Sequence, residues 1–208
     1  MSVAGLLLAA GGGSRYGRPK ALVELDGRLL VDRAAQVLQE GGCDPVLVVL
    51  GAQAEQVRAA TDLPHVVVAH DWADGMGASL RAGLGRLAEG PADACVVALV
   101  DQPLVGSAAV TRLRSAWEAG AVAAVATYGG RPRNPVLLDR AVWADVAAAA
   151  LHDVGARTWL RGHPEQVTPV ACDDTGSPYD IDTTEDLAAL LDPQSPHPPP
   201  DDRRVTPA

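Results

Sequence analysis

The feature that most constrains the fold is a set of five short apolar runs that recur along the chain without polar alternation. They are VAGLLLA (3–9), PVLVVL (45–50), HVVVA (65–69), ACVVALV (94–100) and AVAAVAT (121–127). A strand that is apolar on both sides must be covered on both faces, as in a parallel sheet between helices. Between the runs, helical spacing relates Leu30, Ala34, Val37 and Leu38, and also Leu80, Leu84 and Leu87. The sequence therefore predicts an α/β fold with three layers, α/β/α, around a mostly parallel, doubly wound sheet.

The predicted organisation is one domain followed by a tail. The chain has 208 residues, of which 48% are hydrophobic, enough for one α/β core and too little for two. Segments 141–151 and 183–191 are predicted helices. The last segment, DPQSPHPPPDDRRVTPA, is rich in Pro and polar residues and has nothing to bury. We therefore predict a single domain over 1–191 and a disordered, Pro-rich tail over 192–208.

Charge and cysteine content restrict the partners. The net charge of -9 argues against nucleic acid and anionic membranes, because both favour a basic protein face. No apolar run approaches the roughly 18 residues that a membrane-spanning helix needs. Cys43, Cys95 and Cys172 form no CxxC pair, which fits a reducing compartment better than a disulfide framework. We expect a cytoplasmic protein with neither nucleic acid nor membrane as a partner.

A glycine turn follows the first predicted strand and indicates a phosphate-binding loop. Gly11, Gly12 and Gly13 lack a Cβ, so backbone N–H groups can approach phosphate oxygens closely. The loop is neither a P-loop nor the dinucleotide motif GxGxxG. Arg15 and Lys20 follow the turn and could neutralise a triphosphate. The alternative is an ordinary strand-to-helix turn with solvated basic side chains.

Carboxylates follow another strand and lie near the end of the domain. Asp101 comes directly after ACVVALV, where a carboxylate faces the crevice of an open sheet and can bind Mg²⁺. The alternative for Asp101 is a turn or helix cap. Asp180 and Asp182 point to the same side if their segment is extended, so one of them supplies a second carboxylate. We favour Asp180, because Asp182 also resembles a helix-capping residue.

The segment LAAGGGSRYGRPK resembles the LAAGxGxR…K signature of the nucleotidylyltransferases. The chain from 3 to 191 resembles the molybdenum cofactor cytidylyltransferase branch of the MobA-like NTP transferase family. Further segments match that branch in order: GMGASLRAGL (75–84), DQPLV (101–105), GRPRNPVLL (130–138), HDVGAR (152–157) and YDIDTTEDL (179–187). The resemblance implies a Rossmann-like nucleotide-diphospho-sugar transferase fold.

The resemblance also implies roles for individual residues. The nucleotide-binding residues would be Leu8, Ala9, Ala10, Gly11, Gly12, Gly13, Gly75 and Ser79, the last two near the base. Arg15, Lys20 and Asp101 would be catalytic, and Asp101 with Asp180 or Asp182 would bind Mg²⁺. Arg133, Asn134 and Arg157 would bind the acceptor, where guanidinium groups can hold a phosphate bidentately. The branch commonly has Gly-His-Pro where this chain has Arg133-Asn134-Pro135, so a role of that histidine does not transfer.

The expected reaction is transfer of CMP from CTP to a molybdopterin-type molybdenum cofactor, with release of pyrophosphate. Ala10 favours CTP, because the guanylyltransferase branch tends to Leu-Ala-Gly-Gly. A molybdoenzyme or its maturation factor is a further expected partner. Three alternatives stay open: another phosphorylated acceptor, an NAD(P)H-dependent reductase on the same fold, and a non-catalytic factor that delivers the cofactor. The absent GxGxxG motif and the lack of an acidic residue after PVLVVL weigh against the reductase.

Overall fold

A seven-stranded sheet forms the middle layer of the fold. The computed structural model describes residues 1–13 and 16–191, so Arg15 and the predicted tail over 192–208 lie outside the described residues. The strands are β1 (Val3–Leu8), β2 (Glu24–Leu25), β3 (Arg28–Leu29), β4 (Val46–Leu50), β5 (Val66–Val68), β6 (Ala94–Leu99), β7 (Ala123–Tyr128), β8 (Arg131–Asp139) and β9 (Val167–Ala171). Their order in the sheet is β5-β4-β1-β6-β8-β7-β9, and β2 and β3 form a separate hairpin.

The sheet is mostly parallel, as predicted. β8 runs antiparallel to its neighbours β6 and β7, whereas the other neighbouring pairs are parallel. All six residues of β1 and all five of β4 are buried. Side chains alternate between the two faces, because Leu7 packs in one core while Leu6 and Leu8 pack in the other. Burial on both faces explains the continuous apolar runs of the sequence.

Helices cover both faces of the sheet and complete the three layers. They are α1 (Leu30–Glu40), α2 (Ala54–Ala60), α3 (Met76–Ala88), α4 (Ser107–Glu118), α5 (Trp143–Ala149), α6 (Arg157–Gly162) and α7 (Thr184–Leu191). The first core contains side chains of α1, α2 and α4, and α7 leans on it; we call this side the α1/α4 face. The second core contains side chains of α3, α5 and α6, and we call this side the α3/α5 face. No helix in the described part of the chain is long and apolar enough to cross a membrane.

Two strands of the sheet are absent from the predicted set. β8 begins with the exposed or half-buried polar residues Arg131 to Asn134, and β9 is only partly buried along its length. Neither segment has the continuous apolar run that identifies a central strand. The structure therefore adds an antiparallel strand and a partly exposed strand beyond the parallel centre.

The strand ends bring two loops side by side. β1 and β6 are neighbours, and their last residues, Leu8 and Leu99, are partners in the register. The glycine loop after β1 and the turn that contains Asp101 therefore leave the sheet at the same edge. Ligands of open α/β sheets bind at this edge, outside the carboxyl ends of the strands.

Candidate functional site

A cavity of about 610 Å³ lies at the carboxyl ends of β1 and β6. Most of the residues predicted to bind nucleotide or metal line it: Leu8, Ala10, Gly11, Gly12, Gly13, Lys20, Gly75, Ser79, Asp101 and Asp182. Ala9 is not among the lining residues and packs instead in the core of the α1/α4 face. The sequence interpretation did not include Trp72, Met76 and Asp153, which also line the cavity. Met76 and Asp153 fall within the matched segments GMGASLRAGL and HDVGAR, but the sequence interpretation assigned no role to them or to Trp72.

The glycine loop forms one wall of this cavity. Gly13 has a left-handed backbone with φ of 61°, and a Cβ there would collide with the carbonyl oxygen of Arg18. Its own carbonyl accepts hydrogen bonds from the N–H groups of Tyr16 and Gly17 at 2.9 and 2.8 Å. A Cβ at Gly12 would contact the indole ring of Trp72 at 3.4 Å. Glycine is therefore required for the turn at Gly13 and leaves room for the indole at Gly12.

Lys20 joins two carboxylates at the floor of the cavity. Its Nζ donates to Asp101 Oδ2 at 2.8 Å and to Asp182 Oδ1 at 2.5 Å. The three side chains are 15%, 14% and 18% exposed, respectively. Burial alone would lower the pKa of Lys20, but the charges and hydrogen bonds of Asp101 and Asp182 outweigh it and raise this pKa. Lys20 thus stays a cation throughout the neutral range.

Local structure fixes these three side chains. Lys20 begins a single 3-10 turn whose Ala21 is buried in the core of the α1/α4 face. Asp101 follows β6 by two residues, and its carbonyl accepts a hydrogen bond from the N–H of Ile181 at 2.8 Å. That bond ties the segment carrying Asp182 to the end of β6. Lys20 is the one lysine among the 17 Lys and Arg residues of the sequence, and its ammonium is a more compact cation than the planar guanidinium of arginine.

The structure separates Asp180 from Asp182. Asp180 Oδ1 accepts a hydrogen bond from the buried amide of Gln102 at 3.0 Å and does not line the cavity. Asp182 contacts Lys20 and faces Asp101 across the ammonium group. The geometry therefore favours Asp182 as the second carboxylate, whereas the sequence interpretation favoured Asp180.

The capping role near Asp182 belongs to other residues. Thr183 Oγ1 accepts from the N–H of Asp186 at 3.2 Å, and Asp186 Oδ2 accepts from the N–H of Thr183 at 2.7 Å. This reciprocal pair is a capping box at the start of α7. Burial tends to raise the pKa of Asp186, but hydrogen bonds from Tyr179 and two backbone N–H groups lower it overall. Asp182 is consequently not needed as the cap.

The predicted acceptor residues are not brought together. Arg133 is the partner of Ala126 of β7 in the register, and such partners point to the same face of the sheet. The side chain of Ala126 packs in one cluster with Ala109 of α4, so Arg133 lies on the α4 side of the sheet. Arg157 is exposed and begins α6 on the α3/α5 face. Neither Arg133, Asn134 nor Arg157 lines the cavity. No pattern in the sequence predicts that Arg133 and Arg157 lie on different sides of the sheet.

A bulge in β8 lies next to the end of β6. The register shifts between the pairs Val125–Val136 and Ala126–Arg133, which leaves Asn134 and Pro135 without partners in β7. On the other side, the pairing with β6 ends at Val97 and Val136, and the next residue, Pro135, lines a pocket together with Ala98 and Leu99. Bulges re-aim side chains and are frequent beside active sites. Asn134 is therefore close in the sheet to the strand end that leads to Asp101.

Comparison with known proteins identifies the family. A sequence model of the MobA-like NTP transferase domain matches residues 5–167. A protein of Paenarthrobacter nicotinovorans named nicotine blue oxidoreductase is 40% identical over 198 residues, which cover 91% of this chain and 96% of that protein. A probable molybdenum cofactor guanylyltransferase of Opitutus terrae is 35% identical over 125 residues, which cover 60% of each protein.

Solved structures agree with the sequence relatives. Rv0371c of Mycobacterium tuberculosis superposes with a TM-score of 0.80 and 30% identity, covering 92% of this chain and 98% of that chain. A structure of Rv0371c in complex with manganese gives a TM-score of 0.77. The resemblance drawn from LAAGGGSRYGRPK is confirmed. Together with the glycine loop and the carboxylates at the strand ends, these matches show that the chain is a nucleotidyltransferase of the MobA-like NTP transferase family.

Proposed function

We propose that the chain transfers CMP from CTP to the phosphate of a molybdopterin-type molybdenum cofactor and releases pyrophosphate. The observation that carries this proposal is the ammonium of Lys20, held by Asp101 and Asp182 beside the glycine loop. Backbone N–H groups, a cation and acidic oxygens together form the surroundings that a triphosphate with a bound metal requires. A cavity of about 610 Å³ is within the range of small-molecule sites.

The donor set fits a divalent cation, which we propose to be Mg²⁺. Asp101 Oδ2 and Asp182 Oδ1 already converge on one cation, the Lys20 ammonium. Among the described residues no group of three or more His, Cys, Asp or Glu side chains could hold a metal ion. Mg²⁺ needs no such group, because it is commonly bound by one or two carboxylates together with substrate phosphates and water. When bound, the ion would supply positive charge to the phosphates of the nucleotide.

The chain's own residues then position the reactants. The glycine loop binds phosphate oxygens, and Lys20 neutralises charge that builds on the α-phosphate and the leaving pyrophosphate. Arg15, outside the described residues, is assigned the same role by the family signature. An oxygen of the acceptor phosphate forms a bond to the α-phosphorus as the bond to the bridging β-phosphate oxygen breaks. A phosphate monoester is largely ionised near neutral pH, so no side chain has to remove a proton.

Two features support the proposed acceptor side. The bulge at Asn134 and Pro135 lies beside the end of β6, the strand that leads to Asp101. Arg133 Nη2 is buried without a hydrogen-bond partner in the described part of the chain. A buried donor without a partner is costly, so an anionic acceptor would satisfy it. Arg157 lies on the other side of the sheet and would contact a different part of the acceptor.

The base preference rests on Ala10. Its small side chain lines the cavity together with Ser79, so a planar base can approach this wall closely. Family enzymes with Leu-Ala-Ala-Gly at this position usually take pyrimidine nucleotides, which adds to this argument. The proposal is therefore CTP rather than GTP, although a guanylyltransferase is among the relatives.

Pyrophosphate release tests the proposal. The purified protein is incubated with Mg²⁺, the molybdopterin-type cofactor and each of the four NTPs in turn. We expect release with CTP above all, and loss of release in Lys20→Met but not in Arg86→Met, which removes an exposed ion pair with Glu89. Release from another phosphorylated acceptor at a higher rate would replace the proposed acceptor and keep the reaction.

A second candidate is an NAD(P)H-dependent reductase. The 40% identity to a protein named nicotine blue oxidoreductase, over 96% of that protein, favours it. Against it, β4 ends at Leu50 and continues into Gly51 and Ala52, so no acidic residue is available there to bind a ribose. Titration with NADPH and with CTP·Mg²⁺ separates the candidates, because tight binding of NADPH alone would favour the reductase and reject the transferase.

A further inference from the structure

The cavity extends from one helical layer to the other across the strand ends. The 3-10 turn that begins at Lys20 packs against α1, and Ile181, the residue before Asp182, is buried in the core of the α1/α4 face. The neighbours of Ser79 in α3, by contrast, pack in the core of the α3/α5 face. The cation and the two carboxylates therefore lie at one end of the cavity, and the start of α3 lies at the other. A nucleotide with its phosphates at Lys20 would direct its base toward α3.

Asp153 lies at this second end, in a turn that packs against the start of α3 while its own side chain stays exposed. It belongs to the 3-10 turn His152–Val154, and its Oδ1 accepts from the N–H of Met76 at 3.3 Å. A Cβ at Gly75 would lie 2.6 Å from Asp153 Oδ1, and one at Gly77 would lie 2.6 Å from the carbonyl oxygen of Ala150. The two glycines of GMGAS thus allow the turn to rest directly on the first turn of α3.

The backbone beside Asp153 is also unusual. His152 has φ of 48°, in the left-handed region that non-glycine residues adopt rarely. Such conformations persist only where the surrounding contacts impose them, and they are frequent at ligand sites. The turn on α3 supplies these contacts, so the backbone that carries Asp153 is held against the start of α3, and its exposed carboxylate lies beside Met76.

The surroundings of Asp153 suit a planar base with an amino group. The indole of Trp72 and the side chains of Met76 and Ala10 line the cavity and offer apolar surface to a ring. An ionised carboxylate repels phosphates, and it accepts hydrogen bonds but donates none. Cytosine presents an exocyclic amino group, which donates, where uracil presents a carbonyl oxygen, which a carboxylate repels.

We propose that Asp153 determines specificity by accepting a hydrogen bond from the exocyclic amino group of cytosine, so that the site selects CTP over UTP. This inference rests on the proposed function, because it takes the ligand to be a pyrimidine nucleotide. It assigns Asp153 to the base and not to the metal or the acceptor.

The variant Asp153→Asn tests the proposal with little disturbance of the fold. The amide oxygen of Asn can still accept from the N–H of Met76, so the start of α3 keeps its hydrogen bond. The amide nitrogen, however, can donate to the carbonyl of uracil. The matched control is Asp74→Asn, because Asp74 is exposed, lies near the same helix start and does not line the cavity.

Binding is measured by quenching of tryptophan fluorescence with CTP and UTP, with Mg²⁺ and no acceptor. Trp72 lines the cavity, while Trp117, Trp143 and Trp159 are buried in the cores and provide a constant background. We expect the wild type and Asp74→Asn to bind CTP roughly 10–100-fold more tightly than UTP, the effect of a paired against an unpaired polar group. In Asp153→Asn this ratio is expected to fall to within about threefold.

An unchanged ratio in Asp153→Asn would overturn the proposal, as would a wild type that binds both nucleotides equally. Equal weakening of CTP and UTP would also overturn it, because the carboxylate would then contact the ribose that both share. The binding measurement needs no turnover. Selective CTP binding without pyrophosphate release would reject the proposed transfer and retain the role of Asp153. Pyrophosphate release by a protein that binds CTP and UTP equally would retain the transfer and reject the role of Asp153.

Discussion

Replacing Lys20 by Met probes the contact at the centre of the site. Met keeps the length of the side chain and its apolar stem but removes the ammonium that donates to Asp101 and Asp182 at 2.8 and 2.5 Å. The two carboxylates are 14% and 18% exposed, so water solvates them poorly. The substitution therefore leaves two negative charges near each other without the cation that both contact.

The expected loss of stability follows from this burial. Removing one partner of a buried ion pair costs about 3–5 kcal/mol, and partial exposure favours the lower end, about 3 kcal/mol. Burial tends to lower the pKa of Lys20, but Asp101 and Asp182 raise it overall. A raised lysine pKa gives stability that is fully present below the ordinary value and is lost only as pH rises through the folded-state value. The difference between wild type and variant should thus stay constant from about pH 7 to about pH 9.

Urea unfolding followed by tryptophan fluorescence measures this difference. The matched control is Arg86→Met, which removes a 3.1 Å ion pair whose side chains are 54% and 70% exposed and should cost under about 0.5 kcal/mol. Mg²⁺ is expected to restore part of the loss in Lys20→Met, because a bound cation can replace the ammonium charge. A cost in Lys20→Met as small as that in Arg86→Met would refute the reasoning.

Asp182→Asn is expected to slow pyrophosphate release about 100-fold. Asp180→Asn should change the rate by less than about threefold, because the Asn oxygen can still accept from Gln102. Steady-state kinetics compares the two variants, and equal effects would contradict the choice of Asp182 over Asp180. Gly13→Ala is expected to abolish nucleotide binding, because its φ of 61° and the nearby Arg18 carbonyl exclude a Cβ; calorimetry measures binding, and normal affinity would refute the loop assignment. Burial raises the pKa of the Cys43 thiol to about 12, so the thiol stays protonated near neutral pH. All three cysteines are buried, and a native protein that reacts with a thiol reagent at about pH 8, before unfolding, would contradict their placement.

The centre of the fold is predictable from sequence because its strands are buried on both faces. Burial of every residue in β1 and β4 leaves a continuous apolar run, which few other structures produce. β8 carries Arg131 and Arg133 beyond the end of β6 and so lacks this pattern. Its antiparallel pairing depends on contacts between distant segments, which hydrophobic periodicity does not record.

The candidate site, like the fold, has a part that the sequence predicts and a part that it does not. Lys20 and Asp101 follow from the position of loops at strand ends, because neighbouring parallel strands bring their carboxyl ends together. The choice between Asp180 and Asp182 depends on contacts with Gln102 and Lys20, the latter 162 positions away in the sequence. Asp153 reaches the cavity only because glycines at the start of α3 admit its turn. No spacing rule connects such residues before the fold is known.

The most direct test of the central claim follows the phosphorus atoms of the nucleotide. CTP labelled at the α-phosphate and, separately, at the γ-phosphate is incubated with the protein, Mg²⁺ and the molybdopterin-type cofactor. Nucleotidyl transfer through Lys20, Asp101 and Asp182 predicts that the α label appears in the cofactor product and the γ label in pyrophosphate. Oxidation of NADPH with an electron acceptor, with both labels remaining in CTP, would contradict it.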